Sequence, residues 1–161
     1  MKPDELYDRY GEKMYHYLAL RLGSREDAED VLQEAFCRLA RYSARWVFVR
    51  NPREFVFKVL RNEANRFLAK RIRERTGGAQ NRGDRERMAS VIEEPYVDSA
   101  AVLARALDEL PDEQREVIVL KVFQDFSFRE VAAVCGLPVN TAASRYRYGI
   151  EKLRSLLEGK V

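Results

Sequence analysis

Cysteine, histidine and tryptophan are nearly absent from this sequence, at two, one and one in 161 residues. Cys37 and Cys135 stand far apart and follow no metal-ligand spacing, which argues against a zinc site and a disulfide framework. Buried free thiols in a reducing compartment are the expectation. His16 lies alone among tyrosines and is read as a packing or surface residue. No metal site and no cofactor are expected. There is no apolar run near the length that spans a bilayer and no charged-then-apolar leader, which predicts a cytoplasmic protein without a membrane partner. Nucleophile–base pairs and phosphate-binding glycine loops are missing too, so no catalytic residue is assigned and an enzyme is not expected. With no strand alternation and no internal repeat, what remains is an all-α chain.

What is present is 46% hydrophobic and 34% charged, with a net charge of only +3. That balance fits helices with large solvated faces, and it makes the distribution of charge more informative than its total. The richest stretch runs from Ser127 to Leu157. Ser127 and Glu130 have the spacing of a capping box, Val131, Ala132 and Val134 give a short apolar face, and Gly136 and Pro138 mark a turn over Cys135–Pro138. A second helix, about Asn140 to Leu157, places Ala142, Tyr146, Ile150, Leu153 and Leu157 on one stripe. Its other faces carry Asn140, Thr141, Ala143, Ser144, Arg145 and Arg147. Short hydroxyls and arginines near the start of such a helix can reach base edges and phosphates, so the pair reads as a helix-turn-helix directed at duplex DNA.

Upstream, apolar residues at Leu6, Tyr10, Met14, Tyr17 and Leu18 predict a helix over 4–22, with Gly23 at its end. Ser24 caps a second helix over 25–42 that buries Ala28, Val31, Leu32, Ala35, Phe36 and Leu39. Acidic and amide groups come early on its other face and Arg38 and Arg41 come late, in the order the helix dipole favours. Ser43–Asn51 reads as irregular. Pro52 opens a third helix to about Arg73, burying Phe55, Val56, Val59, Leu60, Ala64, Phe67 and Leu68 and exposing a basic, amide-rich side. Periodicity then disappears from Glu74 to about Tyr96, where Gly77, Gly78, Gly83 and Pro95 suggest a flexible linker. It resumes in a helix ending before Pro111 and another over 112–123. The expected organisation is two small helical domains, 1–73 and 98–161, joined by a linker over 74–97.

Several separated motifs, in order, resemble the sigma factors of RNA polymerase, specifically the small two-domain extracytoplasmic-function (ECF) type of the sigma-70 family. Asp27-Ala28-Glu29-Asp30-Val31-Leu32-Gln33-Glu34-Ala35-Phe36 is similar to the region 2 helix that docks on polymerase. Asn51-Pro52 with Phe55 and Leu60-Arg61-Asn62 resembles the stretch that opens and reads the minus-10 element. Leu110-Pro111, Gln114-Arg115 and the helix-turn-helix resemble region 4, which binds the minus-35 element. The resemblance implies core polymerase (β′ clamp helices and β subunit) and promoter DNA as partners, with an anti-sigma protein as a regulator common in the family. It places core binding on Asp27, Asp30, Gln33 and Glu34. Minus-10 contacts fall on Trp46, Asn51, Arg61, Asn62, Asn65, Lys70 and Arg71, and minus-35 contacts on the Asn140–Arg147 set. Arg66 stands where the family more often has an acid, and Ala143 where region 4 often has Lys or Arg. A stand-alone helix-turn-helix regulator is the alternative, but it leaves the N-terminal acidic and basic helices unexplained.

Overall fold

The computed structural model describes residues 2–75 and 97–158. The described residues are all-helical: α1 (Pro3–Leu22), α2 (Arg25–Arg41), a 3₁₀ segment (Ser43–Phe48), α3 (Pro52–Glu74), α4 (Val97–Glu109), α5 (Asp112–Ile118), a π-helical turn (Val119–Phe123), α6 (Phe128–Cys135) and α7 (Val139–Leu157). The stretch expected as a linker, apart from its two ends, lies outside the described residues.

Local chemistry explains the helix starts. The Ser24 hydroxyl accepts from the Asp27 amide at 3.3 Å, and Asn51 Oδ1 accepts from the Glu54 amide at 3.2 Å with Pro52 as first helical residue. Ser127 and Glu130 form the expected capping box, each side chain accepting from the other's backbone N–H at 3.1 Å. Such caps satisfy amides that the first helical turn leaves unpaired. Gly136, at φ 67°, ψ 40°, ends α6 in the left-handed region that side chains with a Cβ disfavour.

α1, α2 and α3 pack on one another, α7 packs on α4, α5 and α6, and the two groups share one continuous apolar core. The far end of α1 shows this most directly: Tyr17, Leu18, Ala19, Leu20, Arg21 and Leu22 are all buried. One face meets α2 and α3, and another meets the C-terminal helices. The expected face of α3 is corrected by the same arrangement. Val56, Leu60 and Ala64 are buried, but Phe55, Val59, Phe67 and Leu68 are only half-buried and Phe57 is fully enclosed. Phe57, at i, i+3, i+7 with Leu60 and Ala64, widens that buried face, and Phe126 covers it edge-on with ring centroids 5.1 Å apart.

The helix expected over 112–123 is α-helical only to Ile118 and widens into the π-helical turn. Asp125, at φ 56°, then turns the chain so that Gln124 and Phe126 point inward and are buried. In the helix-turn-helix, α7 lies close against α5 at Gly149: a Cβ there would stand 2.7 Å from Ile118 Cδ1. Cys135 is buried as expected, whereas Cys37 is exposed. The apolar stripe of α2 runs through Val31, Ala35 and Leu39, and position 37 points away from it.

A candidate nucleic-acid interface

Three surfaces carry the residues singled out from the sequence. On α2, Asp30, Gln33 and Glu34 are exposed, and their i, i+3, i+4 spacing puts them on one face. Asp27 belongs only partly to that patch, because its carboxylate receives Arg71 Nη1 from α3 at 3.1 Å.

On and before α3 the minus-10 set does not gather into one patch. Asn62 and Lys70 are exposed, and Lys70 lies 4.0 Å from Glu74. Asn51 is exposed at the start of the helix, its side-chain oxygen engaged in the cap. Arg61 faces the C-terminal helices and pairs with Glu116, whereas Asn65, one turn on, is held by α1, its Oδ1 accepting from Arg21 Nη2 at 2.5 Å. Trp46 is 7% exposed, its indole N–H directed at the Leu39 carbonyl at 3.4 Å and its ring edge-to-face with Phe55. In this conformation it is a core residue with no free face for a base. The exposed apolar surface of that segment is Val47 and Phe48, at 87% and 83%. From the sequence, Phe48, two residues after Trp46 and three before Asn51-Pro52, is expected with Trp46 among the residues that could stack on melted bases. Beside them, Arg38, Arg41, Tyr42 and Arg45 line an open recess of about 280 Å³.

On α7 the expected groove residues follow one another from the helix start. Asn140 and Arg147 are exposed, and Thr141, Ala143, Ser144 and Arg145 are half-buried. Arg145 Nη2 lies 3.9 Å from Glu113 of α5, and the Arg147 guanidinium sits 5.2 Å over the Tyr148 ring. The amide-bearing start of α7 stands next to them, where the helix dipole favours phosphate.

Sequence reasoning missed the cluster between the domains. Arg21, 1% exposed, donates to Tyr17 Oη at 3.2 Å and Asp112 Oδ2 at 3.2 Å and lies 3.9 Å from Glu116 Oε2. Glu116, itself 3% exposed, also receives Arg61 and the Cys135 thiol, Sγ to Oε1 at 3.0 Å. Burial opposes the charge on Arg21, but Tyr17, Glu116 and Asp112 outweigh it and hold its pKa above the ordinary guanidinium value. Burial first, and Glu116 second, push the Cys135 thiol well above its ordinary value, which makes it a poor nucleophile. Tyr17 is pushed up chiefly by burial.

A helix-turn-helix thus stands beside a basic helix and an acidic one, and comparison with known proteins assigns the family. Residues 6–74 match sigma-70 region 2, and residues 100–153 match sigma-70 region 4. The chain belongs to the sigma-70 family. Within it the chain is of the ECF type. It is 34% identical over 161 residues to the ECF RNA polymerase sigma factor SigE of Mycolicibacterium smegmatis, covering 96% of this chain and 61% of that one. The fold matches CnrH, solved in complex with the cytosolic domain of CnrY, at TM-score 0.71 and 26% identity, over 99% of this chain and 89% of that one. It also matches the sigma factor RpoE of Bartonella quintana, solved with the anti-sigma factor NepR, at TM-score 0.71 and 21% identity, over 92% of each chain. This sigma factor is thus a transcription-initiation factor that works with RNA polymerase and a promoter, and not an enzyme. Among its described residues no helix is long and apolar enough to cross a membrane.

Proposed function

We propose that this sigma factor divides its work among three helices. α2 docks on the polymerase clamp helices through Asp30, Gln33 and Glu34, with Asp27 at the edge. α3 and the segment before it engage the minus-10 element and hold the strands apart. α7 reads the minus-35 element from its first turns. The observation that carries the reading is the segregation of charge: the exposed acids of α2 repel DNA and suit a basic protein surface, whereas Asn62, Lys70 and the arginines of α3 and α7 suit phosphates and unstacked bases. Melted bases need a stacking platform as well as cations, and exposed Phe48 supplies one where buried Trp46 does not.

The work is cytoplasmic, where core polymerase and promoter meet. A protein partner that restrains the factor is part of the same reading. CnrH, similar over 99% of this chain, is solved with the cytosolic domain of CnrY, and an anti-sigma segment that touches both domains at once suits a chain whose two domains lie together. Run-off transcription with purified core polymerase, on templates selected from a random promoter library, tests the assignment. Transcripts that depend on the added chain, from templates sharing two spaced elements, are the expected result. Binding to a palindromic operator without polymerase would favour a stand-alone regulator.

A further inference from the structure

Where α2 runs into the 3₁₀ segment, Arg38, Arg41, Tyr42 and Arg45 follow one another at i, i+3, i+4 and i+7, the spacing of one face, and together they line the recess of about 280 Å³. The turn that carries them is held by the Arg45 amide, which donates to the Tyr42 carbonyl at 2.8 Å. Tyr42 is 40% exposed, and its ring stands perpendicular to that of Phe55 with centroids 5.7 Å apart. The wall of the recess is therefore three guanidinium groups and one aromatic ring braced by α3.

The charge there is poorly balanced. Glu63 of α3, 6% exposed, receives Arg38 and, at 3.3 Å, Arg66 on the same oxygen, Oε1. Among the described residues neither Arg41 nor Arg45 pairs with an acid. Four arginines gather about one carboxylate, an excess of three positive charges. The negative end of the α2 dipole favours cations in its last turn, which accounts for Arg38 and Arg41. It does not account for Arg45, past the helix end, or for Arg66 on another helix.

The arrangement is concave and convergent. A nucleic-acid strand carries one charge per nucleotide, and the cations that follow it form a track. Arg38 and Arg66 instead meet on one oxygen, and Arg38, Arg41 and Arg45 face one recess. Convergent guanidinium forks suit several charges held in one compact group. The volume stands at the small end of ligand sites, which run upward from roughly 300 Å³, and leaves room for a polyphosphate beside one flat ring.

We infer that this recess is a binding site for a free nucleoside polyphosphate. Arg41 and Arg45, both exposed, grip the phosphates, Arg38 supplies the inner charge, and Tyr42 offers its ring to the base. The site is independent of the polymerase and promoter reading, and neither is needed to test it.

Isothermal titration of the full-length chain, in EDTA at constant ionic strength, provides the test with four probes: inorganic phosphate, pyrophosphate, ATP and a (dT)12 single strand. Pyrophosphate should bind more tightly than phosphate, and ATP more tightly again. Arg41→Gln with Arg45→Gln should weaken pyrophosphate and ATP about tenfold, as the loss of charge-assisted hydrogen bonds implies. Tyr42→Leu should leave pyrophosphate unchanged and bring ATP down about fivefold, the lower end of what one stacked base contributes. Arg9→Gln, at an exposed cation of α1, should change neither. Circular dichroism checks helix content, and because Arg41 and Arg45 are exposed their double variant keeps the test valid even where Tyr42→Leu unfolds. Pyrophosphate that binds no better than phosphate, polyphosphate binding that survives the double arginine variant, or ATP no tighter than pyrophosphate each overturn the inference. So does binding of (dT)12 through these arginines with no binding of either free polyphosphate, which would give them to a strand.

Discussion

Arg71 of α3 reaches across to Asp27 of α2, with Nη1 3.1 Å from Oδ2 and both side chains about a quarter exposed. A residue expected at DNA and a residue expected at polymerase therefore hold each other, and the two surfaces are joined through this pair. The pair lies at the start of α2 and near the end of α3, so it fixes the angle between a docking helix and a DNA helix. We expect Asp27→Ala and Arg71→Ala to be non-additive in urea unfolding, with a coupling of ~0.5–1 kcal/mol, the range of a partly exposed ion pair. Strict additivity would show that the pair contributes geometry but no energy.

Charge reversal on the exposed part of α2 tests polymerase docking. Asp30→Arg with Glu34→Arg should cost ~1–3 kcal/mol of core affinity per site, because attraction becomes repulsion at a charged interface. Both side chains are exposed, so thermal stability should change little. A titration against core polymerase with unchanged affinity would remove α2 from the interface.

Strand opening separates Trp46 from Phe48. Trp46→Ala should act through stability, at a cost of ~3–5 kcal/mol typical of a deleted core aromatic. Phe48→Ala and Asn62→Ala, at exposed positions, should leave unfolding almost unchanged yet reduce permanganate reactivity of minus-10 thymines in the holoenzyme. If full thymine reactivity persists in both, the opening surface lies elsewhere.

For the recognition helix, Arg145→Ala should relax preference at one or two minus-35 positions, since a base contact is worth roughly 1–3 kcal/mol of discrimination. Arg147→Ala should weaken all sequences alike and flatten the salt dependence by about one unit. Titrations of the full chain with core polymerase, on single-base promoter variants at several salt concentrations, read both effects. Loss of neither would disqualify α7 as the reading element.

The two thiols should behave oppositely. Exposed Cys37 is expected to react with a disulfide reagent in the native protein at pH 8, while buried Cys135 reacts only after denaturation. Because the folded protein holds the Cys135 proton more tightly than the unfolded chain does, its contribution to stability is complete below the ordinary thiol value of 9.0 and declines as pH rises above it. The slope approaches ~1.4 kcal/mol per pH unit for one group. Cys135→Ala should flatten that alkaline decline in urea midpoints, and an equally steep decline would place its origin in Tyr17 instead, also pushed up by burial.

Much of this was legible in the chain. Ser24, Asn51-Pro52, Ser127 with Glu130, and Gly136 each specify a helix boundary through local hydrogen bonding or a local dihedral, so the order and extent of helices follow from neighbours in sequence. Except for Leu32 and Phe36, which lie at the edges of the α2 stripe and are only half-buried, the apolar stripes of α1 and α2 were readable from the helical period. The fate of Phe57, Arg61 and Asn65 was not. Their partners Phe126, Glu116 and Arg21 lie 69, 55 and 44 positions away, and a basic residue on a helix reads the same whether it faces water, phosphate or a distant glutamate. Trp46 was ambiguous in another way, since a tryptophan in an irregular stretch has equal reason to pack or to stack. The π-helical turn left no periodic trace, being a single turn long.

Gly149 sets a dimension that no DNA-contacting side chain controls. With hydrogen where other residues carry a methyl, α7 settles down onto Ile118, and this seating decides how far its leading end projects above the rest of the domain. An alanine there would act as a shim. The reading head would keep every hydroxyl and guanidinium it now has, yet meet the groove at a different height and pitch, so that promoter preference changed through stance alone.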